Sequence, residues 1–134
     1  MGMMEFRCSE CGVAVSGPVR ELQDVRLVQT EAGEDYLPQG YFMVQLPGDN
    51  LQGLGHPMGR APGAVLLNLK DLRNTRRVID LRRLNGCCGL DGCDGPNTEC
   101  IHGHEIGTEI SDCWTPHYLH LKPGAAVPEK SNSD

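Results

Sequence analysis

Short runs in which apolar and polar residues alternate recur along the chain, and they predict β-strands. Two short and mostly apolar runs also predict strands: YFMVQL at 41–46, which lies between Gly40 and Pro47 and is the clearest, and AVLLNL at 64–69. Further on, EIGTEI at 105–110 and HYLHL at 117–121 alternate with the period of two that is typical of a strand with one buried face. We therefore predict a mostly β fold of short strands and turns with at most one or two short helices, and an α+β arrangement as the alternative.

Four other stretches of the chain lack such a clear pattern. Residues 19–37 fit either a strand or a helix, although the segment VRLVQT within them favours a strand. Residues 70–85 have apolar positions with roughly helical spacing, which allows a short helix or a helix followed by a strand. The segment 47–63 is rich in glycine and proline and is predicted to be a long surface loop, and 123–134 is predicted to be a disordered tail.

The composition limits the size of the hydrophobic core. The chain has 134 residues, of which 39% are hydrophobic and only 4% aromatic, with 17 glycines and 9 prolines. This length fits one domain, which we place at 1–122. Because small cores are marginally stable, a domain of this kind is expected to need a bound metal or covalent cross-links.

Charge and targeting signals narrow the classes of function. The formal net charge of -6 argues against a general nucleic-acid binder, which carries a basic surface, and favours a protein partner whose identity the sequence does not give. No apolar run is long enough to cross a membrane, and MGMMEFRCSEC at the start lacks the features of a secretory signal. We expect a cytoplasmic protein, in which structural disulfides are uncommon.

A Cys-x-x-Cys turn near the start of the chain is a candidate metal knuckle. Cys8 and Cys11 are separated by two residues and followed by Gly12, which permits the positive φ of a tight turn. A redox pair is the alternative, but such a pair usually lies between a strand and a helix, and the residues after Gly12 do not open a helix.

The segment Cys100-Ile101-His102-Gly103 resembles a second knuckle, with His102 in place of the second cysteine and His104 as an alternative ligand. Two knuckles of this kind, each leading into a strand, resemble the zinc-ribbon class of proteins. The resemblance implies a small zinc-stabilised domain of short strands, with Cys8, Cys11, Cys100 and His102 holding one zinc ion. The gap of about ninety residues between the knuckles departs from a minimal ribbon.

The remaining four cysteines could form a second metal site, which would bring the total to two zinc ions. They are Cys87, Cys88, Cys93 and Cys113. Cys87 and Cys88 are adjacent, so they share a metal only if the chain turns at the flanking glycines. A single zinc with unused thiols is the alternative, as are the disulfides Cys93–Cys113 or Cys88–Cys100 in an oxidising compartment.

These patterns predict a small zinc-binding protein whose metal is structural and whose role is interaction, with catalysis less favoured. One alternative is a thiol-based redox enzyme or sensor that uses Cys87–Cys88 or Cys8–Cys11. The other is a nucleic-acid contact through Arg73–Arg83, although a solvated face that pairs with acids elsewhere is the favoured explanation of those arginines. A hydrolytic zinc site on Asp112, His117 and His120 is weakly indicated, because residues three apart on a strand face opposite sides.

Overall fold

The protein is mostly β, as the alternating runs predict. The computed structural model describes residues 3–28, 31, 33–44, 65–84, 89–90, 96–113 and 116–130. Within these ranges the strands are β1 (Met4–Cys8), β2 (Arg20–Glu21), β3 (Tyr41–Val44), β4 (Val65–Leu67), β5 (Thr75–Arg77), β6 (Thr98–Cys100), β7 (Glu105–Ile110), β8 (Tyr118–Leu121) and β9 (Ala126–Lys130). Three-residue 3₁₀ turns occur at Val25–Leu27, Leu69–Asp71 and Leu81–Arg83.

The strands form a seven-stranded sheet and a two-stranded ribbon. The order in the large sheet is β2-β3-β4-β8-β7-β6-β5, and its pairs are antiparallel except β2 with β3. The ribbon pairs β1 with β9 in antiparallel register, with Met4 opposite Lys130. Phe6 of β1 meets Phe42 of β3 edge to face at a centroid distance of 5.2 Å, so the ribbon packs on the large sheet.

Strand β8 is the centre of the core, and all four of its residues are buried. Leu119 and Leu121 belong to one apolar cluster, together with Phe6 and Phe42. Tyr118 belongs to a second cluster, which lies on the other face of the strand. The sequence HYLHL therefore reads as alternating, but both faces of the strand are covered.

Asn97 fixes the irregular start of β6 and thereby the position of the strand that leads to Cys100. Its side-chain amide donates to the Glu109 carbonyl at 3.0 Å, and its Oδ1 accepts from the Glu109 amide at 2.6 Å. The same oxygen accepts the Thr98 hydroxyl at 2.9 Å. Asn97 thus supplies a hydrogen-bond partner for Glu109 just before β6 begins, and the β-bulge between Thr98 and Glu99 follows it.

The C-terminal segment differs from the sequence-based expectation. Residues 126–130 lie in the segment predicted to be a disordered tail, but they form β9. The backbone carbonyls of Gly124 and Ala125 accept from the Ser9 hydroxyl at 2.8 and 3.1 Å, and the Ala125 carbonyl also accepts from the Ser9 amide. These bonds hold the segment against the turn that follows β1.

The segments 19–37 and 70–85 contain no α-helix among their described residues. Part of VRLVQT, predicted as a strand, is the 3₁₀ turn Val25–Leu27, and Asp24 accepts from the Arg26 amide at 3.0 Å to cap it. Asp80 caps the turn at Leu81–Arg83 in the same way. The loop predicted at 47–63 lies outside the described residues. Within the described ranges, no helix is long and apolar enough to span a bilayer.

Replacement of Asn97 by alanine should lower the free energy of unfolding by about 2 kcal/mol, because the amide and carbonyl of Glu109 would lose their partner while buried in the sheet. Urea denaturation should show a lower midpoint with an unchanged slope. Glu129→Gln, at an exposed ion pair with Arg7, is the control and should change stability by less than about 0.5 kcal/mol. Equal midpoints for Asn97→Ala and the wild type would contradict this role.

His120 should make the fold sensitive to acid. It is buried, neither ring nitrogen has a hydrogen-bond partner among the described residues, and burial lowers its pKa. An unfolded histidine takes up a proton near pH 6.5, whereas His120 in the fold does not, so stability falls as the pH drops below about 6.5.

His120→Leu removes this proton uptake. The stability difference between the variant and the wild type should therefore grow in favour of the variant from pH 7.5 to pH 5, by at most about 1.4 kcal/mol per pH unit. Thermal unfolding at matched pH values measures it. A difference that stays constant over this range would show that His120 is paired or already charged in the fold.

Candidate metal centre

The first candidate turn begins where β1 ends. Cys8 is the last residue of β1 and is buried, and its carbonyl accepts from the Gly12 amide at 2.8 Å. The Cys8 amide donates to the Val13 carbonyl at 2.9 Å, which closes the turn. Gly12 has φ of 78°, a conformation that residues with a Cβ rarely adopt. The turn leaves Cys11 at the surface and Cys8 in the core.

The second turn repeats this arrangement between β6 and β7. Cys100 is the last residue of β6 and is buried, and its carbonyl accepts from the Gly103 amide at 2.9 Å. Its amide donates to the His104 carbonyl at 2.8 Å, and Gly103 has φ of 89°. Two turns far apart in sequence therefore present their first cysteine to the core in the same way.

Core packing and a bridging asparagine bring the two turns together. Cys8 and Cys100 lie in the same apolar cluster, which also includes Phe6 and Ile106. Asn74, with φ of 54°, donates its side-chain amide to the Ala14 carbonyl at 2.8 Å, and its carbonyl accepts from the Ile101 amide at 3.0 Å. One residue thus contacts the chain just beyond each turn.

The two turns place four metal-ligating side chains at one point. The ligand atoms of Cys8, Cys11, Cys100 and His104 all lie within 4.8 Å of one another. The Sγ atoms of Cys11 and Cys100 are 3.8 Å apart, and Cys100 Sγ is 3.3 Å from His104 Nδ1. A tetrahedral zinc ion with ordinary bond lengths would separate two sulfurs by about 3.8 Å and a sulfur and nitrogen by about 3.6 Å. These two distances agree with a tetrahedral ion to within about 0.3 Å.

The three thiols of this cluster are free rather than cross-linked. A disulfide would need the two sulfurs to be about 2.05 Å apart, well under the separation of Cys11 and Cys100.

The histidine in the cluster is His104, which the sequence offers only as the alternative to His102. His102 is exposed and meets the cluster through its backbone, whose amide donates to Cys100 Sγ at 3.4 Å. Spacing alone pointed to His102, because it holds the place before Gly103 that Cys11 holds before Gly12. His104 lies beside Cys100 instead, because the Cys100 amide donates to the His104 carbonyl and closes the turn that contains His102. No local pattern in the sequence separates the two histidines.

The electrostatics of the cluster favour a cation. Burial opposes ionisation of Cys100, but the backbone amides of His104 and His102, the His104 ring and the Cys11 thiol together lower the pKa of Cys100 to about 7. The Val13 backbone favours the Cys11 thiolate, yet desolvation and the nearby sulfurs of Cys8 and Cys100 raise the pKa of Cys11 overall. Thiolates crowded in this way repel each other, and a bound metal ion relieves that repulsion.

The structure describes only one of the four cysteines of the predicted second site, Cys113. Cys87, Cys88 and Cys93 lie outside the described residues, so a site that includes them stays a prediction. Cys113 is disulfide-bonded, and its bonding partner is not among the described cysteines, since the other three are free thiols. The Ser111 amide donates to the Leu90 carbonyl at 2.8 Å, which brings the middle of the cysteine-rich run close to the segment that carries Cys113.

The residues considered for a hydrolytic zinc site serve other contacts. The His117 ring Nε2 is 3.0 Å from the Asp112 carbonyl oxygen, and the Asp112 side chain accepts from the Cys113 amide at 2.7 Å. His120 is buried within β8. Among the described residues, the cluster of Cys8, Cys11, Cys100 and His104 is the one group of three or more such side chains close enough to share a metal ion.

Three of the arginines in the segment Arg73–Arg83 form ion pairs. Arg76 contacts Glu99 at 2.6 Å, Arg77 contacts Glu109 at 3.2 Å, and Arg82 contacts Asp80 at 3.0 Å. These pairs reduce the positive charge that a phosphate backbone would meet.

Comparison with protein-family models, with curated proteins and with solved structures finds no match to this chain. The assignment of the centre therefore depends on its own geometry.

His104→Ala should weaken zinc binding at least about 100-fold, since even residues that only support a ligand are worth about 10–100-fold. His102→Ala is the matched control in the same turn and should stay within about threefold of the wild type. Competition with a chromophoric chelator measures both affinities. A larger loss in His102→Ala than in His104→Ala would reverse the assignment.

Proposed function

We propose that this protein binds one structural zinc ion through Cys8, Cys11, Cys100 and His104 and acts by binding other molecules rather than by catalysis. The observation that carries the proposal is the convergence of these four side chains within 4.8 Å. It agrees in kind with the zinc-ribbon resemblance of the two turns. The three free thiols favour a reducing, cytoplasmic setting, whereas the disulfide bond at Cys113 argues against one.

The ligand chemistry selects zinc. Three thiolates and one imidazole in a tetrahedral arrangement suit zinc, whereas calcium and magnesium require oxygen ligands. Four-cysteine sites are shared by zinc and iron, and a histidine in the fourth place favours zinc.

A structural role follows from the closure of the site. Catalytic zinc keeps one coordination position for water or substrate, but here four protein side chains would fill the tetrahedron. Cys8 and Cys100 are 2% and 0% exposed, so the ion would be anchored directly in the apolar core. Its binding energy then becomes folding energy for a chain with few aromatic side chains.

A second candidate function, thiol-based redox activity, has one observation in its favour, the disulfide bond at Cys113. It differs from the first in the cysteines it uses. Mass spectrometry after differential alkylation separates the two, since redox activity requires Cys113 to label only after reduction, and structural zinc requires Cys8, Cys11 and Cys100 to label only after metal removal.

Protein purified under reducing conditions without chelators should contain at least one zinc per chain by elemental analysis. Removal of the metal should lower the unfolding temperature by more than about 10 °C, and zinc should restore it where magnesium does not. Metal-free protein with an unchanged unfolding temperature would refute the structural role.

Cys11→Ser separates the effect of metal loss from the effect of lost core packing, because Cys11 is exposed and outside the core cluster. The variant should lose zinc and reproduce the low unfolding temperature of the metal-free wild type. Glu10→Gln, exposed in the same turn, is the matched control and should retain both zinc and stability.

A further inference from the structure

Cys11 is the exposed ligand of the candidate metal centre. Cys8 and Cys100 are 2% and 0% exposed, whereas Cys11 is exposed together with its neighbours Glu10 and Gly12. A metal-bound thiol is a thiolate, the form of cysteine that oxidants attack, and susceptibility to oxidation increases with exposure. A small oxidant in solution therefore reaches the sulfur of Cys11 before it reaches the other two.

A second sulfur of the centre lies in contact with Cys11. Cys11 Sγ is 3.8 Å from Cys100 Sγ, and a disulfide bond needs about 2.05 Å, so the sulfurs must approach by about 1.8 Å. Cys100 is held at the end of β6 in the apolar core. The turn of Cys11 has room to shift, because no atom beyond the chain neighbours of Gly12 lies within 4 Å of the position that a Cβ would take there.

Hydrogen bonds within the first turn disfavour a bond between Cys11 and Cys8. The Gly12 amide donates to the Cys8 carbonyl at 2.8 Å, and the Cys8 amide donates to the Val13 carbonyl at 2.9 Å. A Cys8–Cys11 bond would have to form inside this closed loop, with Cys8 buried at the end of β1. A bond to Cys100 joins two separate turns, and a shift of one turn against the other leaves the hydrogen bonds within each turn intact.

We propose that Cys11 and Cys100 are the site of a reversible disulfide bond, formed with hydrogen peroxide, that converts the centre from a metal-bound to a metal-free form. The proposal rests on the proposed function, in which zinc binds these thiols, and adds the regulation of that site. Cys8 and His104 would be the two ligands left, and a structural zinc site requires four.

The reaction takes two steps. The Cys11 thiolate attacks one oxygen of hydrogen peroxide, the O–O bond breaks, and the products are a sulfenic acid at Cys11 and a hydroxide ion. The Cys100 thiolate then attacks the Cys11 sulfur, the S–O bond breaks, and a second hydroxide leaves as the disulfide forms. The two thiolates lose two electrons in total and the peroxide gains them, so zinc keeps its oxidation state.

The disulfide bond would exchange one long-range cross-link for another. Cys11 and Cys100 are 89 residues apart, and a covalent bond across a loop of this length strongly restricts the unfolded chain. A Cys8–Cys11 bond would enclose only Ser9 and Glu10 and leave the two turns unconnected. The oxidised chain would therefore keep its two turns joined without a metal ion.

A peptide map of the oxidised protein tests the site directly. Reduced, zinc-loaded protein is treated with equimolar hydrogen peroxide beside a chromophoric chelator, and is then alkylated in denaturant. Cleavage after glutamate places the three thiols of the centre on separate peptides, which are 6–10, 11–21 and 100–105. Mass spectrometry should find 11–21 linked to 100–105, with Cys8 alkylated and about one zinc released for each disulfide formed.

The unfolding temperature tests the exchange of cross-links. The oxidised, metal-free protein should unfold at least about 5 °C above the reduced, metal-free protein, because only the oxidised chain keeps a bond between the two turns. Treatment with dithiothreitol and then with zinc should restore the unfolding temperature of the zinc-loaded protein.

Cys11→His tests the exposed thiol with a metal ion still bound. Two cysteines and two histidines also form a structural zinc site, so peroxide should release zinc from this variant at least about tenfold more slowly. Cys113→Ser is the matched control, because Cys113 is disulfide-bonded and lies outside the cluster. It should release zinc within about twofold of the wild-type rate. The peptide map of the wild type decides the question even if Cys11→His binds no zinc.

Four results would overturn the proposal. The first is a link from peptide 6–10 to either of the other two, and the second is oxidation of Cys11 without any disulfide bond. The third is equal release of zinc from Cys11→His and the wild type, and the fourth is a strong slowing of release in Cys113→Ser. Zinc-loaded wild type that gives any of these contradicts the disulfide alone, whereas wild type purified without zinc contradicts the proposed function.

Discussion

The convergence of three thiols and one imidazole is the constraint on which the rest of this small fold depends. It joins the end of β1 to the turn between β6 and β7, across 89 residues of sequence between Cys11 and Cys100. The residues around it form the main apolar cluster, and the chain supplies few aromatic side chains to enlarge that cluster. A metal at this point would stabilise long-range contacts that a core of this size stabilises only marginally.

Around this point the sheet depends on polar residues as much as on apolar ones. Asn97 supplies hydrogen bonds to Glu109 just before β6 begins, and Asn74 connects the two turns that carry the candidate metal ligands. Asn68 contributes a third such contact, as its side chain donates to the Leu37 carbonyl at 2.8 Å and accepts from the Lys70 amide at 2.8 Å. Asn68 and Asn97 are buried, and buried amides favour one arrangement of irregular chain segments, because any other arrangement would leave buried polar groups unpaired.

Sequence reasoning worked where a local signal matched the final environment. The alternation in 105–110 gave the bounds of β7, and the spacing of Cys8, Cys11 and Gly12 identified the first turn. It failed where three-residue elements carry no periodicity, as in 70–85, and where order depends on a distant contact, as in β9. The choice of His104 over His102 depended on the backbone hydrogen bond between Cys100 and His104, which spacing does not encode.

The long separation of the two turns that carry the candidate metal ligands has a consequence for biosynthesis. At a translation rate of about 5–20 residues per second, Cys8 and Cys11 leave the peptidyl-transferase centre roughly 4–18 s before Cys100 is added. For that interval the first half of the centre has no second half, so its thiols are open to oxidation or to the wrong metal. The order of synthesis, rather than the stability of the finished centre, then sets how much the nascent chain depends on a reducing environment.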